Sequence, residues 1–294
     1  MSVFETPSSS SGATPDAVPS RRLDAGGIDT FLHDAGTGDV PTICVHGNPD
    51  SADAWLPLLR RSAELGRVVA PDLPGFGRSG RPDPARFDAS LDAYVAWFDA
   101  FVDALDVPRF DLVVHDWGSL ALAAAARRPG RIRRLVAIDV VPLSADYRWH
   151  WLATYLWRPR VVGEVGMTVF NRFTIKLLTR LQRPGLRPLD ADLLDRIRRD
   201  LDPAMKRAIL ALYRSAGPEV LGRYGDRLAD VTAPALVIWG ADDPYVGSGE
   251  MDVLARALGG PVETALVDGG HWPMLDTDEV FDRTVAFLTG PTTA

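Results

Sequence analysis

The stretch Val113-Val114-His115-Asp116-Trp117-Gly118-Ser119 decides how this chain is read. An apolar run ends there, and an Ala- and Leu-rich stretch over 117–128 follows at once, stopping before Pro129-Gly130. A short continuous apolar run fits a strand buried on both faces, and the stretch after it has helical composition. A strand that passes straight into a helix needs a tight turn, which projects the residue at its apex from the carboxyl end of the sheet. That residue is Asp116. The usual form of such a turn has glycine two residues before and two after the apex. Here Gly118 is present and Val114 takes the earlier place.

The apex residue sets the chemistry. A carboxylate attacks a saturated carbon in line, expels a leaving group and becomes an ester whose carbonyl belongs to the protein. Water then attacks that carbonyl and frees the product. A serine in the same place would form an ether that water does not open. Asp116 therefore points to substitution at sp3 carbon. Taken alone, an aspartate that merely caps the helix is an equally good reading.

Two more segments weigh against a simple cap. Trp239-Gly240-Ala241-Asp242-Asp243-Pro244 follows the apolar run 235–239 and puts Asp243 on its exit loop, with Asp242 the less favoured rival. Asp268-Gly269-Gly270-His271-Trp272-Pro273 follows a further candidate strand at 262–267. The chain order is then nucleophile, acid, histidine. His271 would take a proton from water, and Asp243 would fix the tautomer and orientation of the ring. Asp139, after the run 134–138, is a second candidate for the acid. His46-Gly47-Asn48-Pro49 directly follows Ile43-Cys44-Val45. Its backbone is expected to offer one oxyanion donor and the Trp117 N–H the other. The Asn48 side chain is a further donor, although asparagine before proline is also a common turn residue.

Outward from these motifs, the runs 42–45, 67–70, 110–114, 134–138 and 235–239 alternate with helical patterns, one of them starting after a Ser90 cap. That alternation predicts an α/β fold with a wound, mostly parallel sheet. Gly26-Gly27 suggests a hairpin turn between two edge strands. Between 143 and 230 the alternation breaks: Trp149, Trp151, Tyr155, Leu156 and Trp157 crowd together, and helices are expected at 191–199 and 203–215. The expected organisation is a tail without structure over 1–20, a core over 21–142 and 231–294, and a helical cap over 143–230. The cap aromatics either line a substrate pocket or, more commonly, pack the cap onto its core.

The net charge of −7 argues against nucleic acid as a partner. Arg127, Arg128, Arg131, Arg133 and Arg134 cluster at a helix end and loop, which reads as solvated surface. Cys44 has no second cysteine to bridge and reads as a small buried hydrophobe. No apolar run approaches the ~20 residues of a membrane span, and residues 1–20 lack the pattern of a secretion signal. A cytoplasmic protein with no membrane partner is the expectation.

His46-Gly47-Asn48-Pro49, Pro71-Asp72-Leu73-Pro74-Gly75-Phe76-Gly77-Arg78-Ser79 and Val114-His115-Asp116-Trp117-Gly118-Ser119 together resemble the haloalkane dehalogenases of the α/β-hydrolase superfamily. The resemblance runs from about residue 21 to the end, with the cap poorly matched. It implies an α/β-hydrolase fold with helices on both faces of the sheet and an inserted helical cap. It also implies cleavage of carbon–halogen bonds in small hydrophobic haloalkanes through an Asp116 ester, giving alcohol and halide with water as co-substrate. No metal and no organic cofactor are implied. Asn48 and Trp117 stand where members of that family bind the departing halide. An amide and an indole N–H are uncharged donors, able to stabilise a halide and still release it. Members differ in whether the acid follows the earlier or the later strand, so Asp139 and Asp243 both stay open.

Epoxide hydrolases are the alternative. They usually show glycine at the places of Val114 and Ser119, and they use cap tyrosines to protonate the opening oxygen. Tyr213, in Ala211-Leu212-Tyr213-Arg214, resembles one such tyrosine, whereas Tyr147 and Tyr155 fit the context of its partner poorly. A ligand-binding protein with a vestigial triad is the third reading.

Overall fold

The computed structural model describes residues 18–182 and 189–291. Its eight strands are β1 (Ser20–Asp24), β2 (Asp29–Ala35), β3 (Thr42–Val45), β4 (Val68–Pro71), β5 (Phe110–His115), β6 (Ile132–Ile138), β7 (Ala235–Gly240) and β8 (Val262–Val267). They form one sheet in the order β1-β2-β4-β3-β5-β6-β7-β8. The pairs β1/β2 and β2/β4 are antiparallel and the rest are parallel. Strands β3, β4, β5 and β7 are buried at every residue. This burial on both faces is why they read as unbroken apolar runs rather than alternating ones. The β1–β2 hairpin turns at Gly26 and Gly27, both with positive φ. Most of the expected tail lies outside the described residues, but Ser20 belongs to β1, paired with His33.

The α-helices are α1 (Leu56–Arg60), α2 (Ser62–Leu65), α3 (Leu91–Ala104), α4 (Ser119–Ala125), α5 (Val162–Val169), α6 (Arg172–Gln182), α7 (Ala191–Asp200), α8 (Pro203–Ser215), α9 (Pro218–Gly225), α10 (Gly249–Ala257), α11 (Pro273–Asp276) and α12 (Glu279–Thr289). Their starts follow sequence signals. Ser90 Oγ accepts from the Ala93 N–H at 3.2 Å, and Asp190 and Asp202 cap α7 and α8 in the same way. Helices α5 to α9, preceded by a π-helical turn at Leu152–Trp157, all lie between β6 and β7. A buried bidentate ion pair joins these helices to the core, with Arg196 of α7 donating to Asp50 at 2.7 and 3.0 Å.

The surface arginines are tied to nearby acids: Arg127 to Asp99 at 3.1 Å, Arg128 and Arg131 to Asp103 at 2.8 and 2.7 Å. Cys44 is fully buried, and burial pushes its thiol up, out of the reactive range. Among the described residues no helix is long and apolar enough to cross a membrane.

Candidate active site

Parallel strands that share register end at one edge of the sheet, and ligands bind in the crevice beyond that edge. Val45 pairs with Val114, His115 with Ile138, Ile138 with Ile238, and Gly240 with Val267. The residues that follow these strands therefore meet: Asn48 after β3, Asp116 after β5, Asp139 after β6, Asp243 after β7 and His271 after β8. All five are buried.

Asp116 sits in the left-handed region at φ +49°, the strained apex of the turn between β5 and a short 3-10 turn that leads into α4. The turn is possible because its neighbours are small. A side chain at Gly118 would collide with the Val45 carbonyl, and one at Gly47 with the Asp116 carboxylate. Gly47 lets the loop after β3 close onto the turn at 116, where the Asn48 N–H donates to Asp116 Oδ2 at 2.7 Å. The Trp117 amide nitrogen lies against the same face of Gly47.

The His271 ring lies between two carboxylates. Its Nδ1 meets Asp243 Oδ2 at 2.7 Å, and its Nε2 lies 3.5 Å from Asp116 Oδ1. Asp243 Oδ1 accepts the N–H groups of Tyr245 and Val246 at 2.7 and 3.0 Å. Burial opposes charge on both partners. For Asp243 the His271 charge and these hydrogen bonds outweigh it and hold the carboxyl below its usual range. For His271 the Asp243 charge and the Asp116 contact outweigh it and hold the ring well above its usual value.

Of the two candidate acids, Asp243 is the one that meets His271. Asp139 accepts the Gly240 N–H at 2.9 Å and lies against Asp243. Burial first, and then the Asp243 charge, push its carboxyl well above the usual range, so it keeps its proton and donates to Asp243. Donor atoms of Asp139, Asp243 and His271 lie within 4.8 Å of one another, a spacing that could also hold a cation. A cation there would require Asp139 ionised and Nδ1 released from Asp243, and the hydrogen bonds run against both.

His115 is a contributor that the sequence reading missed. Burial lowers its pKa to about 4, so the ring is neutral, and Nε2 donates to the His271 carbonyl at 2.7 Å. This bond fixes the backbone of the histidine loop.

Above Asp116 lies a narrow hollow with aromatic walls. Its volume, mouth included, is about 450 Å³. Trp149 and Trp157 line it, whereas Trp151 is 40% exposed and does not. Trp149 stacks on Trp117, with centroids 5.4 Å apart and planes at 23°. The indole Nε1 atoms of Trp117, Trp149 and Trp272 and the Tyr147 hydroxyl are all buried without a hydrogen-bond partner. Buried donors left unpaired are costly, and three of them, on Tyr147, Trp149 and Trp272, line the hollow and mark a place for an acceptor or an anion, whereas Trp117 is stacked on Trp149 and is not itself part of the wall. Tyr213 also lines the hollow, edge-on to Trp117 at 4.9 Å. Burial and the nearby Asp116 charge keep its phenol protonated, as burial and Tyr213 do for Tyr147. The sequence reading gave Tyr147 a poor fit as a cap tyrosine, yet the loop after β6 brings it into the pocket beside Tyr213.

Comparison with known proteins agrees with this architecture. The family described as alpha/beta hydrolase fold matches residues 40–278. A 2-hydroxy-6-oxo-2,4-heptadienoate hydrolase of Pseudomonas putida is 29% identical over 273 residues, covering 90% of this chain and 94% of that protein. A haloalkane dehalogenase of Mesorhizobium japonicum is 40% identical over 109 residues, covering 37% of this chain and 34% of that one. The crystal structure of a haloalkane dehalogenase from Bradyrhizobium elkani superposes with a TM-score of 0.77 at 24% identity, over 92% of this chain and 97% of the other.

Proposed function

This chain belongs to the α/β-hydrolase fold family, and from that membership we propose that it hydrolyses carbon–halogen bonds of small apolar haloalkanes through an ester on Asp116. The observation that carries the reading is the geometry at 116. A carboxylate, not a hydroxyl, stands 3.5 Å from the imidazole, with its other oxygen on the Asn48 N–H.

Asp116 attacks the carbon that bears the halogen, and the halide leaves with the bonding electrons. The indole N–H groups of Trp149, in the pocket wall, and of Trp117, stacked on it, would donate to the departing halide, assisted by the Asn48 amide. His271, oriented by Asp243, takes a proton from water, and the resulting hydroxide attacks the ester carbonyl. Negative charge then builds on the oxygen held by the Asn48 N–H. Collapse regenerates the carboxylate and frees the alcohol, and His271 gives up its proton. No step calls on a metal or cofactor.

A second reading is favoured by Tyr147 and Tyr213, two protonated phenols in one pocket with Asp116. They would donate to the oxygen of an opening epoxide, with the same ester and the same histidine.

Replacing His271→Ala should leave the ester standing. After exposure to 1-bromobutane the variant is expected to gain the mass of one butyl group, while the parent releases bromide and butanol. Unchanged mass in a folded variant, alongside turnover by the parent, would reject the ester route. Diol from styrene oxide with no bromide release would move the assignment to epoxides.

A further inference from the structure

Single exposed apolar side chains are ordinary, but a concentration of them is not. Of the nine large hydrophobic side chains exposed among the described residues, eight lie between Trp151 and Leu177, in the cap. Val165 and Val169 stand four residues apart on α5, with Val161 at its N-cap, and Phe173 and Leu177 stand four apart on α6; all five are 55% to 72% exposed. That spacing puts each set on one face of its helix. Tyr155, on the π-helical turn packed against α5, is 68% exposed.

The charge of this region is opposite to that of the molecule. The chain carries −7, yet residues 148–182 hold six basic side chains and one acidic one. That one acid, Glu164, is bound by Arg214 at 2.6 and 2.9 Å. Arg160, Lys176 and Arg180 are exposed among the apolar residues.

We propose that this face of the cap docks on an anionic lipid surface. Exposed aliphatic and aromatic side chains set among lysine and arginine are the composition of helices that lie in a membrane interface. The cations meet anionic headgroups while the valines and Phe173 enter the acyl boundary. A second copy of this chain is a poorer partner, because a symmetric contact would oppose two positive faces. The expectation of no membrane contact came from looking for a span, and a helix that lies on a surface needs none. The buried side of the same segment points the other way: Trp157, Phe170 and Ile175 line the hollow above Asp116. Docking would thus set the substrate pocket next to a phase in which apolar molecules concentrate. Only that last consequence rests on the proposed chemistry; the docking does not.

The test is co-sedimentation of the full chain with vesicles of phosphatidylcholine alone and of an equimolar mixture with phosphatidylglycerol. Pelleting is expected with the mixed vesicles, with partitioning about tenfold weaker when salt rises from about 0.1 to about 0.5 M. The double variant Val165→Glu/Phe173→Glu should lose pelleting while keeping the parent's circular dichroism and its turnover of a water-soluble substrate. Absence of pelleting by the parent on mixed vesicles overturns the proposal, as does equal pelleting by a folded double variant. So does a dimer in sedimentation velocity that the double variant abolishes, with no vesicle binding by either protein. Vesicle binding by a parent that turns over neither bromoalkane nor epoxide would sink the enzymatic reading and leave the docking intact.

Discussion

Replacing Trp117→Phe tests whether the unpaired indole serves a leaving anion. The substitution keeps an aromatic ring against Trp149 and Tyr213 and removes one N–H. In the resting protein that N–H has no acceptor in normal hydrogen-bond geometry, although the Tyr213 hydroxyl lies close, so little hydrogen bonding is broken. The stability cost is then limited to the lost volume, about 1–2 kcal/mol for such a partial truncation. On the proposed chemistry the same N–H would meet a forming halide in the transition state, and a hydrogen bond to a charged group contributes about 1.5–3 kcal/mol. At about 1.4 kcal/mol per factor of ten, kcat/KM for a bromoalkane should fall roughly ten- to a hundredfold. The assay is bromide release, with styrene oxide as the control substrate. An epoxide oxygen stays on the product and is met by Tyr147 and Tyr213, so its turnover should change much less. Tyr213→Phe should show the reverse preference if epoxides are the substrates. Two results refute the argument: bromoalkane turnover within about twofold of the parent in folded protein, or equal losses on both substrate classes.

Replacing Arg196→Leu leaves the Asp50 carboxylate buried without its cation and should cost about 3–5 kcal/mol in urea unfolding, with Asp50→Asn in the same chain recovering most of it. Asp139→Asn keeps a donor toward Asp243 and an acceptor for the Gly240 N–H, so turnover should change by no more than a few-fold. The Asp139 carboxyl is raised in the folded state, so its ionisation in the unfolded chain lowers stability as pH rises above the ordinary carboxyl range. The Asn variant should therefore gain on the parent between about pH 4 and pH 7 in thermal unfolding, and a constant difference would contradict a buried proton at 139. Ester hydrolysis, followed in a single turnover, needs neutral His271 and should slow as pH falls. Ester formation does not call on that base, so a rate of ester formation that tracked the hydrolysis profile would be inconsistent with separate roles for His271 and Asp116.

The core was legible because its strands are buried on both faces. The apolar run at 42–45 coincides with β3, that at 235–239 covers β7 but for its last residue, Gly240, and the run read at 67–70 is β4, Val68–Pro71. Asp116, Asp243 and His271 stood out because strand ends carry them, and strand ends converge. The choice between Asp139 and Asp243 was not open to local patterns, since both follow buried strands. The order β6-β7-β8 favours Asp243: β7 lies next to the strand that delivers His271, and Asp243 leaves from β7. The cap resisted reading for a different reason. Apolar periodicity signals a buried face, but on α5 and α6 Val165, Val169, Phe173 and Leu177 face solvent. Tyr147 comes from an irregular loop, where no period marks the side of the chain that faces the pocket, and Trp149 gave no sign that its indole N–H would be left without an acceptor.

The imidazole between two carboxylates raises a question of timing. His271 is held above its ordinary value by Asp243 and by Asp116, and a ring that keeps its proton is a poor base. The proposed chemistry removes one of these two supports at the point where a base is needed. Alkylation turns Asp116 from an anion into a neutral ester, and both its charge and its contact with Nε2 at 3.5 Å are lost. The ring then answers to Asp243 alone, sheds its proton more readily and meets the water that must attack the ester. Asp243 keeps its own N–H donors from Tyr245 and Val246 throughout, and Asp139 keeps its proton behind it. A serine in place of Asp116 would not change its charge in this way on forming a covalent intermediate. On the proposed chemistry the carboxylate at the strand exit would therefore do more than choose the bond to be broken. It would couple the completion of the first step to the readiness of the base for the second.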